Sequence, residues 1–451
     1  MPANLAVVNP VAVDVGRVLD EGRWAGYQKR LVSLTALAII FDGVDLQLFG
    51  IAVPAIMRDW HLTRADLAPV LALGYVGMIL GGSVGGILGD RLGRRVAIIA
   101  SMITFAVMTA AIGATNGVAA LGMVRLLAGV GLGGALPNAA ALASEYVPLR
   151  YRPFAVTLTI VCVPLGGTLA GLAAIPVLPA LGWRALFVLG GLMPMVAAIC
   201  MAPFLAESPR YLARHPRRWP ELAVILRRIG HTIAPNAAFT DSRDTSNARA
   251  SLATLLGPEL RHDTIAVSLA FLASLLAIYT GFSWIPAMLT AAGLGATVAS
   301  AGITVFNLGG VVGAVLGGLV IIRLGSRSTM LTMAAGAVGA AIAMSALNLT
   351  AVASPVPVLI MLTVLGGLIN AVQTTLYALA AHVYPTSVRA TGVGTVVGVG
   401  RLGALLSPYT GAWALDAGGP PAFFGVFAVA MTAAFAALAA VRRNIAPARR
   451  A

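Results

Sequence analysis

Residues 85–95 read GGILGDRLGRR, and residues 317–327 read GGLVIIRLGSR. At a spacing of 232, Gly85 matches Gly317, Gly86 matches Gly318, Arg91 matches Arg323, Leu92 matches Leu324, Gly93 matches Gly325 and Arg95 matches Arg327. A second pair, ALASEYVPLRYR at 141–152 and ALAAHVYPTSVR at 378–389, repeats at a spacing of 237 and retains Ala141, Leu142, Ala143, Pro148 and Arg152. Two matches at nearly one offset point to an internal duplication. Between these motifs the chain is apolar at membrane-spanning length. Runs fall at 31–57, 66–88, 96–115, 118–143, 154–178 and 184–205, and again at 264–290, 297–322, 329–349, 356–381, 390–413 and 421–441. The expected fold is an all-α membrane protein: twelve transmembrane helices in two pseudosymmetric six-helix bundles related by an axis along the membrane normal. A site between parallel repeats is the plan of a transporter rather than of a channel or an enzyme.

Composition agrees with the repeat. Of 451 residues, 59% are hydrophobic and only 10% charged, against about 25% charged in an average soluble domain. Such a chain lacks the polar side chains to cover a water-exposed surface. Twelve spans of ~20 residues would use ~240. The remainder divides into an N-terminal tail (1–30), a first bundle (31–205), a linker (206–262), a second bundle (263–441) and a C-terminal tail (442–451). The linker holds nine Arg and five Pro, with a short surface helix expected around 219–229.

The net charge of +14 would suggest nucleic acid in a soluble protein. Here its placement excludes that partner. The two tails, the linker and the loops 89–95, 144–153, 323–328 and 382–389 together hold 25 of the 30 basic residues. The opposite side has only Arg58, Arg64 and Arg184. By the positive-inside rule both termini are expected in the cytoplasm, with the lipid bilayer of a bacterial inner membrane as surroundings. Residues 1–30 carry seven charges and no apolar core, so no cleavable signal peptide is expected. Cys162 and Cys200 lie in apolar stretches, and neither they nor the histidines show metal-ligand spacing. No nucleotide-binding loop is present, so no cofactor is expected and the proton gradient is the expected energy source.

The loop motif GDRLGRR, with its degraded copy RLGSR, resembles the hallmark of the major facilitator superfamily, and the resemblance covers essentially the whole chain. Within that superfamily the chain is similar to the aromatic acid:H+ symporter family. Three stretches carry the narrower likeness: Asp42-Gly43-Val44-Asp45 in span 1, the run from Arg125 through Pro137-Asn138 into Glu145 in span 4, and Gly400-Arg401-Leu402-Gly403 with Ser407-Pro408 in span 11. The family usually has an aromatic residue where this chain has Val44. The resemblance implies symport of an aromatic carboxylate with H+, by a chain working as a monomer. It also implies a gate latch at the cytoplasmic side, built from Asp90, Arg91, Arg94 and Arg95 with Glu145 and Arg152.

The residues themselves suggest the chemistry. An ionised carboxylate at mid-membrane is expensive and should face a cavity. Asp42 and Asp45, at i and i+3, share a helix face, so their titrations are coupled. Asp45 lies deeper and is the favoured proton carrier, with Arg125 as either coupling partner or ion-pair lock. Arg401, near the middle of span 11, suits a carboxylate's two oxygens. At the repeat offset of 237, Arg125 meets Leu362 and Arg401 meets Pro164, so neither charge is dictated by the duplication. Asn370, Gln373, Thr374 and Tyr377 form one stripe on span 10. With Tyr279 and Asn138 they are candidate substrate-binding residues; the alternatives are interhelical hydrogen bonding for the stripe, interface anchoring for Tyr279 and, for Asn138, repair of the backbone broken at Pro137. Alternatives stay open at this point: a symporter of a sugar, a shikimate-like acid or a dicarboxylate, a drug-efflux antiporter, or a non-transporting membrane sensor. Glu207-Ser208-Pro209-Arg210 is similar to a sugar-porter motif, whereas a sugar would not need Arg401.

Overall fold

The computed structural model describes residues 12–234, 237–241, 252–349, 354–385 and 388–447. Among these, ten helices are long and apolar enough to cross a membrane. Two of them hold two spans each: Arg152–Met201 breaks at Gly182 (φ 76°) and Arg389–Ala440 breaks at Gly418 and Gly419 (φ 60°). Spans 1 to 4 are Gly26–Trp60, Arg64–Leu92, Arg94–Ile112 and Val118–Tyr146, and spans 5 and 6 lie on either side of Gly182. Spans 7 to 10 are Arg261–Ala291, Ala296–Leu324, Ser326–Ala346 and Val356–Val383, and spans 11 and 12 lie on either side of the Gly418-Gly419 break. The chain is a multi-pass membrane protein.

The duplication is visible in the backbone. The matched glycines Gly93 and Gly325 both adopt left-handed conformations, φ 103° and 79°, at the turns from span 2 to 3 and from span 8 to 9. L side chains rarely adopt that region. Small residues set the helix approaches in both halves as well. Gly77 and Gly81 of span 2 lie on the backbone of Leu126 and Val130 in span 4, while Gly309 and Gly313 of span 8 lie on Thr363 and Gly367 of span 10.

The linker's expected helix is Trp219–Arg228, with Leu222, Ile225 and Leu226 buried. The N-terminal tail is tied to that linker, which the sequence did not suggest. Ala12–Asp14 pairs in parallel with Ala238–Thr240. Val15–Glu21 follows as a helix whose Asp20 forms ion pairs with Arg152 and with Arg210, the latter at 3.5 Å. Tail and linker thus form one small layer against the first bundle; the end of the molecule that carries it is the linker end, and the opposite end is the remote end.

Several hydrogen-bonded or ionic connections join the two bundles. Arg64 pairs with Asp416 at 2.5 Å at the remote rim. Gln47 and Asn307, both fully buried, exchange two amide hydrogen bonds of 3.0 and 2.6 Å. Tyr75 and Ser283 share a hydrogen bond of 2.9 Å, and Arg401 donates to the Met78 carbonyl at 3.3 Å. All of these lie at mid-depth or toward the remote end.

Candidate functional site

The cavity between the bundles is lined at mid-depth by Asp42, Tyr75, Tyr279, Tyr377 and Arg401, with apolar walls that include Leu46 and Met78. Each polar member comes from a different span. Asp42 is buried, and its Oδ1 accepts no hydrogen bond from the protein. Arg401 interacts electrostatically with Asp42 and is held by the Met78 carbonyl against Gly82. A side chain at position 82 would meet the guanidinium, so the glycine leaves room for it. The three tyrosines make an aromatic wall: Tyr75 and Tyr279 meet edge to face with centroids 4.9 Å apart, and Tyr377 packs edge-on against Phe271 at 5.1 Å.

Asp45 does not share this cavity. It turns into the first bundle, where Arg125 lies 3.5 Å away and the Thr109 hydroxyl donates to its Oδ1. Both charges are almost wholly shielded from solvent. The Arg125 guanidinium sits 5.2 Å from the centre of the Phe49 ring and donates to the Leu46 carbonyl at 3.4 Å. The shared helix face expected for the two acids is therefore divided. Three residues of helix advance the chain ~4.5 Å and turn it by roughly 60° short of a full circle, enough for spans 3 and 4 to claim one carboxylate while the cavity keeps the other.

Four expected lining residues need correction. Asn138 lies outside the cavity wall. Its amide donates to the carbonyls of Gly85 and Gly134 at 2.8 Å, and its oxygen accepts from Arg94 at 3.1 Å. Asn370 donates to the Gly366 carbonyl of its own helix at 2.9 Å and packs on Gly310. Gln373 and Thr374 are buried beside the cavity's lining without joining it. The span-10 stripe shares a direction but not a depth: Asn370 lies ~10 Å along the helix from Tyr377. Tyr75 was missed, as were Gln47 and Asn307.

The sequence profile of the Major Facilitator Superfamily matches residues 35–351 and 267–451. The chain belongs to that superfamily. Its relatives include a gallate transporter of Pseudomonas putida, 32% identical over 96% of this chain and 95% of the relative. The 4-hydroxybenzoate transporter PcaK of Pseudomonas aeruginosa is 32% identical over 90% of each chain. A benzoate transport protein of Acinetobacter baylyi is 28% identical over 90% of this chain and 87% of the relative. The narrower resemblance to the aromatic acid:H+ symporter family holds with these relatives. Among solved structures, the xylose transporter XylE from E. coli, in a partially occluded inward open conformation, superposes with a TM-score of 0.72 at 16% identity, over 91% of this chain and 97% of that one. That likeness bears on the major facilitator fold alone.

The superfamily's loop residues lie together at the linker end. Arg94 pairs with the exposed Asp90 at 2.6 Å and with Glu145 at 3.8 Å. Glu145 accepts from the Ser208 hydroxyl, and Arg152 holds both Asp20 and the Ser144 carbonyl. Arg95 donates to the Ala202 carbonyl at 2.9 Å, and the Arg91 carbonyl accepts from Tyr211 at 3.1 Å. The Glu207-Ser208-Pro209-Arg210 stretch belongs to this network: Glu207 accepts from the backbone N–H of Arg95 at 3.2 Å and of Ser208 at 2.9 Å. Among the described residues these contacts stay within the first bundle, the tail and the linker.

Proposed function

We propose that this protein is a proton-coupled symporter that carries an aromatic carboxylate into the cell across a bacterial inner membrane by alternating access, with both termini in the cytoplasm. The observation that carries the reading is the presence of Asp42 and Arg401 together in one mid-depth cavity walled by tyrosines. Asp45 and Arg125 neutralise each other inside the first bundle, which leaves one acid and one base in the cavity. Adding a carboxylate anion and a proton keeps the loaded cavity neutral, which lowers the cost of moving it through lipid. Arg401 holds the carboxylate, Asp42 accepts the proton, and the tyrosine edges receive the aromatic ring. The gallate, 4-hydroxybenzoate and benzoate relatives support that substrate class. The chain works as a monomer, without a cofactor and without catalysing a reaction.

The anchor is tested by equilibrium binding of benzoate-type acids and their methyl esters to purified protein. Removing the partner of a buried charge costs on the order of 2–5 kcal/mol. Arg401→Ala should therefore weaken binding of the acid by roughly 30-fold or more, and Arg401→Lys should be intermediate because it loses the planar fork. The ester should hardly respond. Equal weakening of acid and ester, or none for the acid, would make Arg401 a structural bridge to Met78 instead.

The loop network acts as the gate latch, with Asp90 an exposed member. An exposed ion pair contributes at most about 1 kcal/mol, so Asp90→Asn should leave thermal stability and substrate affinity close to wild type. Transport should slow, and cysteines introduced at the linker end should label faster. A wild-type rate with unchanged labelling removes Asp90 from the gate.

A further inference from the structure

A second cluster of cations lies outside the transport pathway. An open groove of about 970 Å³ runs between the start of span 1, the end of span 6 and the linker helix Trp219–Arg228. Lys29, Arg30, Arg95 and Arg228 line it. Among the described residues, none of these four side chains forms an ion pair with a carboxylate. Lys29 lies over the Trp24 ring, Arg228 over the Tyr27 ring, and Arg95 on the Ala202 carbonyl. The groove's own acid, Glu221, is taken by Arg218 at 2.8 Å. The contrast with the latch is direct, because there Arg94, Arg152 and Arg210 each meet an acid.

The wall beside the unmatched cations is apolar and open. Phe204 is 70% exposed and Val224 46% exposed, with Leu34 alongside. The groove lies where the ends of spans 1 and 6 meet the linker layer, and the ends of spanning helices meet the headgroup layer of a bilayer. Positive charge at headgroup depth, continuous with an apolar wall running toward the bilayer, matches an anion that carries acyl chains. A soluble anion would have no use for Phe204. We infer that this groove is a binding site for an anionic phospholipid of the leaflet on the linker side, its phosphate held by Lys29, Arg30, Arg95 and Arg228 and its acyl chain laid against Phe204 and Val224. The lipid would bridge span 1, span 6 and the linker helix, and so brace the layer that carries the latch.

The test is native mass spectrometry of the full chain released from micelles containing phosphatidylglycerol or phosphatidylcholine. Each basic residue near an anionic surface contributes about 5-fold in affinity, so Arg30→Gln/Arg228→Gln should lose roughly 30-fold in phosphatidylglycerol retention. The charge-matched Arg217→Gln/Arg227→Gln, both exposed and outside the groove, should retain the lipid within about 2-fold, well inside one basic residue's share. Phosphatidylcholine should be retained weakly by every variant. Equal losses in the two double variants would mean diffuse surface attraction and overturn the site. Equal retention of both lipids, or displacement of phosphatidylglycerol by millimolar inorganic phosphate, would overturn the lipid assignment. Circular dichroism spectra and melting of each variant in lipid-free detergent separate loss of binding from loss of fold. Arg95 is left unchanged because it also belongs to the loop network.

Discussion

Asp42→Asn should reduce uptake driven by an imposed pH gradient to the level of vesicles without protein, while exchange of labelled for unlabelled substrate continues. The side chain keeps its size and can still hydrogen-bond, but it can no longer gain and lose a proton. Among the lining residues of the mid-depth cavity, Asp42 is the carboxylate that faces Arg401, and its Oδ1 has no hydrogen-bond donor in the protein. A carboxylate in that setting can take a proton without first breaking an ion pair. Proteoliposomes loaded at alkaline pH and diluted into acid provide the measurement. Accumulation at the wild-type rate would place the proton elsewhere. If Asp45→Asn alone abolished accumulation, the deeper acid would be the carrier after all, as its position in the span suggests.

The second large effect is expected at the other acid. Breaking a buried ion pair from one side costs about 3–5 kcal/mol because the remaining charge is stranded. Arg125→Met and Asp45→Leu should each destabilise the protein by that order, whereas Asp45→Leu/Arg125→Met should recover much of the loss. Reversible unfolding in mixed micelles gives the four corners of the cycle. Additive losses would mean that the two residues are not coupled. Transport by the double variant decides a further question. If it still accumulates substrate, the pair is a brace between spans 1 and 4; if it folds but does not couple, the pair takes part in proton movement.

The fold was legible because it is written twice. The repeated loop motif and the apolar runs between charges specify two bundles, and Gly93 and Gly325 show the same turn carried by both copies. Charges inside spans were legible too, because lipid makes them expensive wherever they are. Asp42 and Arg401 could be picked out before any contact was known. Direction and depth were not. A spacing of i, i+3 tells which side of a helix a residue shares, not which neighbour occupies that side, and so Asp45 and Asn370 were grouped with partners they do not join. Neutral residues were harder still. Tyr75, Gln47 and Asn307 carry no charge and sit in no motif, and their importance comes only from what the opposite bundle places against them. Asn138, after Pro137, left backbone repair and ligand binding equally open, and only the structure shows its amide turned to the Gly85 and Gly134 carbonyls.

The reciprocal amide pair between Gln47 and Asn307 has a consequence for the energetics of the cycle. Neither side chain titrates or carries charge, so the strength of this clasp is the same at any pH and in any salt. A carrier whose seam weakened on protonation would leak protons by opening each time Asp42 was occupied. This clasp contributes the same resistance to opening whether the cavity holds a proton, an acid, both or neither, whereas the Arg64–Asp416 pair and the Arg401–Met78 bond respond to charge. Discrimination between the loaded and half-loaded carrier then falls to the cavity's own charge balance, and the clasp sets a constant threshold against which that balance is weighed. Gln47→Glu would turn a fixed threshold into a pH-dependent one.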